Sequence, residues 1–361
     1  MVAASALREK GLTFQLREQL NRIDSPEHRR LRALTLLLTW RCPALCDHCV
    51  FDSSPHNKTT LDPNVARRVV EAVGRQKPPP ILSFSGGEPF LQLGLMRELA
   101  ALGVSVGMIS EVVTSCAWVA DAPRTLSVLR DLQECGLRTL CISYDRFHAP
   151  YVKPWKVRTA IGAGLELGLR IVLNTIADED DASDGVDALA FATELPRETI
   201  ARCFVNRLAI VPVGRARRQV RDYIYPQAPP TGGCPFSTQV VTLSPHGLLY
   251  PCCGAVVGEP TDQAQLFIQD DLTNRSVDEI EMIVASIQND LFFRLLQTIG
   301  PYGLIQELRR RDPDLPVRSR FTGQCDACLE FTANGHVADA ARHFLQQISA
   351  ELSKTRPESM H

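Results

Sequence analysis

Three cysteines, Cys42, Cys46 and Cys49, lie within eight residues in the stretch TWRCPALCDHCVF, directly after an apolar run. Three closely spaced thiolates can ligate a 4Fe-4S cluster and leave one iron without a protein ligand, and chemistry could occur at that iron. The alternative is a structural zinc site, but zinc takes four tetrahedral ligands that usually come in paired CxxC motifs. No second pair follows within the next sixty residues, and His48 lies beside Cys49, where ligation by both is awkward. The spacing therefore favours an iron-sulfur loop.

A glycine-rich turn, Ser85-Gly86-Gly87-Glu88-Pro89, follows the next apolar run, ILSFS. It lies at the carboxyl end of a predicted strand, where parallel α/β sheets place their ligands. Two glycines let the backbone approach a ligand closely, and a neighbouring carboxylate can accept from an ammonium group. An ordinary turn would explain the same residues in isolation. The position directly after the cysteine loop favours a binding role.

A second set of cysteines lies in the last third of the chain. Cys234 and Cys252 flank a predicted β-hairpin with a Pro-His-Gly turn, and Cys325 and Cys328 form a CxxC motif. Four thiolates from a hairpin and a CxxC motif could close completely around one iron-sulfur cluster. A zinc ribbon is the alternative for two separated cysteine pairs.

The CxxxCxxC loop followed by GGEP resembles the radical SAM family. The resemblance implies a 4Fe-4S cluster on Cys42, Cys46 and Cys49, with S-adenosylmethionine bound to the open iron through its amino and carboxylate groups. One electron from an external flavodoxin or ferredoxin type of reductant would cleave this cofactor to a 5′-deoxyadenosyl radical. That radical would abstract hydrogen from an unactivated carbon.

The resemblance also implies roles for single residues around the cofactor. Its amino group would be held by the GGEP motif, and its ribose and carboxylate by polar residues at the ends of the fourth and fifth strands. His48 occupies a position where the family often has an aromatic residue, so we expect it to stack on adenine. The alternatives, strand-end caps and a surface histidine, remain open. The predicted cofactor-binding residues are His48, Gly86, Gly87, Glu88, Ser143, Asp145 and Asn174.

The spacing Cx12Gx4C, from Cys234 through Gly247 to Cys252, resembles the twitch and SPASM domains of radical SAM enzymes. The resemblance implies one auxiliary 4Fe-4S cluster on Cys234, Cys252, Cys325 and Cys328, hence two clusters in the chain. Such a cluster could accept the electron left on a substrate radical. Cys253 remains as a spare neighbour, an alternative ligand or a catalytic hydrogen donor.

Apolar strand patterns alternate with helical patterns over the first two-thirds of the chain. The predicted strands cover residues 33–40, 81–85, 104–111, 138–144, 170–176 and 204–212. The predicted helices cover residues 61–76, 92–102, 123–135, 154–167 and 184–194. This alternation indicates a parallel α/β sheet, and the resemblance implies a partial (β/α)6 barrel followed by a smaller α+β domain.

Four regions follow from this pattern and from a shift to proline and glycine near residue 226. They are an N-terminal helical extension (1–30), a radical SAM core (31–225), a twitch/SPASM-like domain (226–335) and a C-terminal helix with a tail (336–361). In the second of these, a polar and aromatic cluster after the fourth strand supplies candidate substrate contacts. Its members are Tyr144, Arg146, His148 and Tyr151.

The composition fits a globular protein and excludes several function classes. Of 361 residues, 45% are hydrophobic and 22% are charged, and the net charge of −2 argues against nucleic-acid binding. The arginine run from Arg215 to Arg221 is interpreted as a solvated helix face. The sequence offers no signal peptide and no run of about 20 apolar residues. We therefore expect a cytoplasmic protein that does not bind membranes, whose clustered cysteines are metal ligands.

The expected function is oxidative modification of a ribosomally synthesised peptide, by cross-linking or dehydrogenation, because the resembling architectures commonly act there. Only about thirty residues precede the first strand, too few for the peptide-recognition domain of many such enzymes. A dehydrogenase or epimerase of a small sugar-like or cyclitol-like molecule is therefore the alternative. A non-catalytic iron-sulfur or zinc scaffold is an alternative of another class.

Overall fold

One mixed sheet organises the chain in the computed structural model, which describes residues 29–176, 186–252 and 270–355. Its parallel part consists of β1 (Ala33–Leu37), β2 (Ile81–Ser85), β3 (Ser110–Thr114), β4 (Leu137–Ser143), β5 (Arg170–Ile176) and β6 (Phe204–Leu208). These strands lie in the order β6-β5-β4-β3-β2-β1, so each strand pairs with its predecessor in the chain. Within the described residues the sheet does not close into a barrel.

Helices connect the parallel strands. They are α1 (Pro63–Gly74), α2 (Leu93–Ser105), α3 (Ala122–Glu134), α4 (Pro154–Glu166), α5 (Val186–Thr193) and α6 (Arg197–Ile200). Asp62 ends the loop before α1, and its carboxylate accepts hydrogen bonds from the backbone N–H groups of Asn64 and Val65. Proline at the first helical position has no N–H to leave unpaired, so Asp62-Pro63 fixes the start of this helix.

The main core lies between the parallel strands and these helices. Leu34 and Leu36 of β1, Phe84 of β2 and Leu140 of β4 are at most 1% exposed. Leu34, Leu36 and Leu37 of β1 are almost fully buried, and a strand buried along its length needs a continuous apolar run, which explains why β1 consists largely of leucine. The carboxyl ends of the strands are thereby held on a rigid layer.

The chain after β6 extends the same sheet and builds a second core. Its elements are α7 (Arg215–Gln219), β7 (Val240–Leu243), β8 (Leu248–Tyr250), β9 (Asp270–Asp271), α8 (Val277–Asn289), α9 (Leu291–Arg311), α10 (Gln324–Cys328), α11 (Glu330–Ala333) and α12 (Gly335–Thr355). Strand β7 runs parallel to β1, and β8 turns back antiparallel to β7. Phe293, Leu304, Phe331 and Phe344 belong to the second core.

The predicted parallel α/β sheet followed by a smaller mixed part is confirmed. The third strand was placed wrongly, because α2 continues to Ser105 and β3 begins only at Ser110. The domain boundary near residue 226 stays a prediction. Most of the predicted N-terminal extension lies outside the described residues. None of the described helices is both long and apolar enough to cross a membrane.

Candidate functional site

A cavity of about 430 Å³ lies where the parallel strands end. This volume is within the range of about 300–1,000 Å³ that small-molecule sites occupy. Its lining combines the cysteine loop, the glycine turn, strand-end polar residues and part of the second cysteine set. The predicted site residues among its lining are Cys42, Cys46, His48, Cys49, Gly86, Gly87, Ser143, Asp145, His148, Asn174 and Cys325.

The cysteine loop is held by backbone hydrogen bonds at both ends. The N–H of Cys42 donates to the carbonyl of Ser54 at 3.1 Å, and the N–H of Cys49 donates to the carbonyl of Cys46 at 3.1 Å. Cys42 and Cys46 are buried, and Cys49 is partly exposed. Burial raises the pKa of the Cys42 thiol to about 12 and also raises the pKa of Cys46. Binding of a metal centre would deprotonate these thiols, and thiolate is the donor that iron-sulfur clusters prefer.

The two glycines of the turn pack directly against the backbone of the cysteine loop. The N–H of Gly87 donates to the carbonyl of Thr39 at 2.7 Å. A Cβ atom at Gly87 would lie 2.2 Å from the carbonyl oxygen of Arg41, and Gly86 has a φ of +121°. Glycine is needed here for contact between two loops as well as for access to a ligand. The turn and the cysteine loop therefore form one unit.

Glu88 does not line the cavity. Its carboxylate is fully buried and accepts hydrogen bonds from the hydroxyls of Thr114 and Ser115, both at 2.8 Å, and from two backbone N–H groups. Burial raises the pKa of Glu88, although these hydrogen bonds oppose the shift. The observed contacts of Glu88 fasten the glycine turn to the end of β3.

Asp145 lies at the centre of a compact polar cluster after β4. Its carboxylate contacts Nδ1 of His148 at 3.0 Å and Nε2 of His48 at 3.4 Å, and it accepts from the backbone N–H of Phe147 at 2.9 Å. The His48 ring stacks on Phe147 with 4.7 Å between ring centroids. Burial alone would raise the pKa of Asp145, but the hydrogen bonds from His148 and His48 outweigh it and hold that pKa well below its ordinary value.

The same three side chains have ligand atoms within 4.8 Å of one another, close enough to hold a metal ion. Their mutual hydrogen bonds already account for that proximity. Nδ1 of His48 is buried and has no hydrogen-bond partner among the described residues. That nitrogen is therefore available to a bound molecule.

Asp145→Asn is expected to reduce the free energy of unfolding by about 1.5–3 kcal/mol at neutral pH, because hydrogen bonds to a buried charge are lost. A carboxyl whose pKa is lowered by folding stabilises the protein above its unfolded pKa of about 3.9. Below that pH the contribution declines toward the lower pKa of the folded state. Urea unfolding of the cluster-free chain should show a larger difference at about pH 5 than near pH 3.5. The exposed Asp222→Asn is the control, and a difference that grows in acid would contradict the assignment.

The other predicted contacts lie at different distances from the cavity. Ser143 and Asn174 line it at neighbouring strand ends, and Oδ1 of Asn174 accepts from Asn206 at 3.1 Å. Of the four substrate candidates, His148 lines the cavity. Tyr144 is 1% exposed in the core, with its hydroxyl 3.3 Å from the carbonyl of Val152.

Arg146 and Tyr151 lie outside the cavity lining. The Arg146 guanidinium lies 4.7 Å from the centre of the Phe147 ring, and Tyr151 is 45% exposed. Their predicted substrate contacts stay predictions.

The second cysteine set reaches the same cavity through Cys325. The amide of Gln324 donates to the carbonyl of Gly232 at 2.8 Å, which ties the CxxC helix to the segment before Cys234. Helix α9 breaks at Gly300, which has a φ of +73°, and a Cβ there would lie 2.0 Å from the Gly232 carbonyl oxygen. The break lets these segments approach closely.

Cys252 lies two residues after the end of β8, and its carbonyl accepts from the Thr242 hydroxyl at 2.6 Å. Cys328 is the last residue of α10. Cys253 lies outside the described residues. The ligand roles of Cys234, Cys252, Cys325 and Cys328 stay predictions.

Sequence reasoning missed the partners that support the site. Arg215, interpreted as part of a solvated face, is 8% exposed and contacts the cysteine loop. Thr114 and Ser115 donate hydrogen bonds to the Glu88 carboxylate, and the Phe147 ring stacks on the His48 ring. Phe147 lies within the polar cluster after the fourth strand, so its position offered a signal that could have found it. For the contact between Arg215 and the cysteine loop, the one local signal was the glycine directly before Arg215.

Comparisons with known proteins agree with this geometry. Residues 36–162 match the model of the Radical SAM superfamily. A protein of Bacillus subtilis strain 168, YydG, whose name assigns it to peptide biosynthesis, is 22% identical over 305 residues, covering 82% of this chain and 91% of YydG. The solved structure of native anSMEcpe with bound AdoMet and Cp18Cys peptide has a TM-score of 0.50 at 13% identity, covering 90% of this chain and 98% of anSMEcpe. That likeness shows a shared fold.

Proposed function

We propose that this chain, an enzyme that carries a radical SAM domain, uses S-adenosylmethionine to abstract hydrogen from a peptide and oxidise it. Membership of the superfamily implies S-adenosylmethionine and a 4Fe-4S cluster. The observation that carries the proposal is that Cys42, Cys46 and Cys49 line one cavity together with the glycine turn and the polar ends of β4 and β5. A cofactor bound in that cavity would contact all three groups.

The residues present fit this pair of cofactors. Three cysteine thiols converge on the cavity, and soft sulfur ligands suit iron. The buried Nδ1 of His48 lacks a partner among the described residues, as expected beside a ligand that would supply one. When bound, the two cofactors supply hydrogen abstraction from an unactivated carbon.

The protein contributes positioning and the exclusion of water. The contact of Asp145 with Nε2 fixes the orientation of His48, and Phe147 stacks on the His48 ring. Backbone hydrogen bonds from Gly87 to Thr39 and from Glu88 to Arg41 hold the glycine turn, at the end of β2, against the start of the cysteine loop, at the end of β1. We assign Gly86, Gly87, His48, Ser143, Asp145 and Asn174 to cofactor binding, and we assign to Glu88 the support of the turn.

A reductive cleavage assay tests the first part of the proposal. The chain is reconstituted anaerobically with iron and sulfide and incubated with S-adenosylmethionine and dithionite, which replaces the flavodoxin or ferredoxin type of reductant. We expect 5′-deoxyadenosine in an amount that depends on the reconstituted iron. Its absence from a sample with full iron content would reject the enzyme function.

The peptide is proposed from two similar proteins: YydG is named for peptide biosynthesis, and anSMEcpe was solved with a bound peptide. A peptide encoded by a short reading frame beside the gene is the probe. Mass spectrometry after incubation is expected to show the loss of two hydrogen atoms. An unchanged mass in ordinary water, together with deuterium uptake in deuterated water, would instead indicate epimerisation. Cys253 would then be the candidate hydrogen donor.

An auxiliary 4Fe-4S cluster on Cys234, Cys252, Cys325 and Cys328 would receive the electron from the oxidised substrate. Cys325 lines the cavity in which the first cluster would be held, and Gln324 ties the Cys325 helix to the segment before Cys234. A cluster held there would lie beside a substrate placed between the two cysteine sets.

The double variant Cys325→Ala, Cys328→Ala is expected to bind about half the iron of the wild type, since one of two four-iron clusters is lost. Iron is measured by colorimetric assay after reconstitution, and 5′-deoxyadenosine is measured in parallel. Cleavage should persist while oxidation of the peptide is lost. Unchanged iron content would contradict the second cluster.

A further inference from the structure

We propose that Arg215 is a positioning residue for the cysteine loop and that its buried positive charge favours the reduced state of the cluster held by that loop. The inference rests on the function proposed above. Arg215 lies at the start of α7, on the turn that follows β6, and is far from the loop in sequence. It is one of the charged side chains that the fold buries beside the cavity.

The contacts of Arg215 span the second half of the loop. Its Nη1 donates to the carbonyl of Cys46 at 3.0 Å, and its Nη2 donates to the carbonyl of Ser53. Its backbone N–H donates to the carbonyl of Cys49 at 3.0 Å. One residue thus fixes the backbone at two of the three cysteines. A shift of the Arg215 side chain would release the backbone at Cys46 and Ser53, and a shift of its backbone would release Cys49.

The preceding glycine makes this approach possible. Gly214 has a φ of +60°, and a Cβ atom there would lie 2.3 Å from the carbonyl oxygen of Val50. The β6 turn therefore lies in direct backbone contact with the loop, and Arg215 is held at the contact. The role of Arg215 follows from tertiary packing against residues that are far away in the chain.

The charge of Arg215 is only partly compensated. Its Nε lies 3.1 Å from Oδ1 of Asp52, whose side chain is 45% exposed. The same carboxylate also contacts Arg218, an exposed residue, through Oδ2 at 2.5 Å. One solvent-facing carboxylate therefore serves two guanidinium groups, and positive charge remains on the buried side, where Arg215 binds backbone carbonyls of the cysteine loop.

A cluster with thiolate ligands gains one negative charge on reduction. A nearby cation in a site of low dielectric stabilises the more negative state, and charge and hydrogen bonding around a cluster set its potential. Arginine suits the position because its planar fork can bind separate carbonyls at once, whereas a lysine ammonium is a single point charge. Geometry and charge can therefore be separated by substitution.

The test is an EPR-monitored redox titration of the reconstituted chain with dithionite, with and without S-adenosylmethionine. The cluster of the loop is identified as the one whose signal changes on adding S-adenosylmethionine. Three variants are compared with the wild type: Arg215→Met removes the charge, Arg215→Lys retains it, and Arg218→Met removes the exposed partner of Asp52. Iron content and thermal unfolding are recorded for each variant.

We expect Arg215→Met to lower the equilibrium constant for reduction of that cluster about tenfold, a shift of about 59 mV for a one-electron couple. Arg215→Lys is expected to keep most of the potential but to lose iron faster on dilution with a chelator. Arg218→Met is expected to match the wild type. If Arg215→Met does not fold, Arg215→Gln is the second variant that removes the charge, and the same shift in potential is expected of it.

Two results would overturn the inference. A potential in Arg215→Met equal to that of the wild type, at full iron content, would leave Arg215 a merely structural residue. Equal shifts in Arg215→Met and Arg215→Lys would show that charge is not the cause. A wild-type chain without a signal that responds to S-adenosylmethionine would reject the proposed function instead, so the two failures are distinguishable.

Discussion

Cys46→Ala is expected to abolish 5′-deoxyadenosine formation, with a loss larger than the about 10–100-fold effects of removing groups that only support a metal ligand. Cys46 is buried and lines the cavity with the two other cysteines of the loop. Its removal leaves two thiolates, and a cluster held by two ligands is lost in reconstitution. The measurement is 5′-deoxyadenosine per chain by chromatography, together with iron content.

Cys135→Ala is the matched control for this prediction. Cys135 is a partly exposed cysteine at the carboxyl end of α3 and does not line the cavity. It is expected to keep the iron content and the cleavage rate of the wild type. If Cys46→Ala retained both quantities, the loop would not hold the cluster, whatever the double variant at Cys325 and Cys328 showed.

The sequence was sufficient to predict the positions of strands where the local pattern and the burial of the residues agree. The strands at residues 81–85 and 170–176 match β2 and β5, because each is a short stretch rich in isoleucine and leucine that begins within two residues of a proline or glycine. β3 was misplaced because Val104 and Ser105 continue α2, although valine favours strands. Here the packing of the helix against its neighbours outweighs a weak local preference.

The sequence pointed to the two motifs that line the cavity and missed the residues that support those motifs. The cysteine loop and the glycine turn have fixed spacings, so both could be found and both line the cavity. Arg215 was missed because a buried arginine is justified only by partners elsewhere in the chain. The role assigned to Glu88 changed for the same reason, since its partners Thr114 and Ser115 lie at the end of the next strand.

The contact between the glycine turn and the cysteine loop leads to the second prediction. Gly87→Ala is expected to destabilise the chain by about 1–3 kcal/mol and to abolish cleavage of S-adenosylmethionine, because overpacking moves backbone atoms. The new Cβ would lie 2.2 Å from the Arg41 carbonyl oxygen, and a backbone carbonyl cannot rotate away as a side chain can. Relief of the clash would break the bonds from Gly87 N to Thr39 and from Glu88 N to Arg41.

Gly94→Ala gives a control with the same chemical change a few residues away. A Cβ atom at Gly94 would meet nothing within 4 Å, and the residue lies in α2. Alanine in a helix is favoured over glycine by about 1 kcal/mol, so this variant should be as stable as the wild type or more so, with full activity. Thermal unfolding and 5′-deoxyadenosine formation are measured for both variants.

Because the turn and the loop are in backbone contact, a methyl group at residue 87 should displace the cysteines as well as the turn, and Gly87→Ala should also lose iron. Full iron content in an inactive Gly87→Ala would instead assign the glycine to S-adenosylmethionine alone.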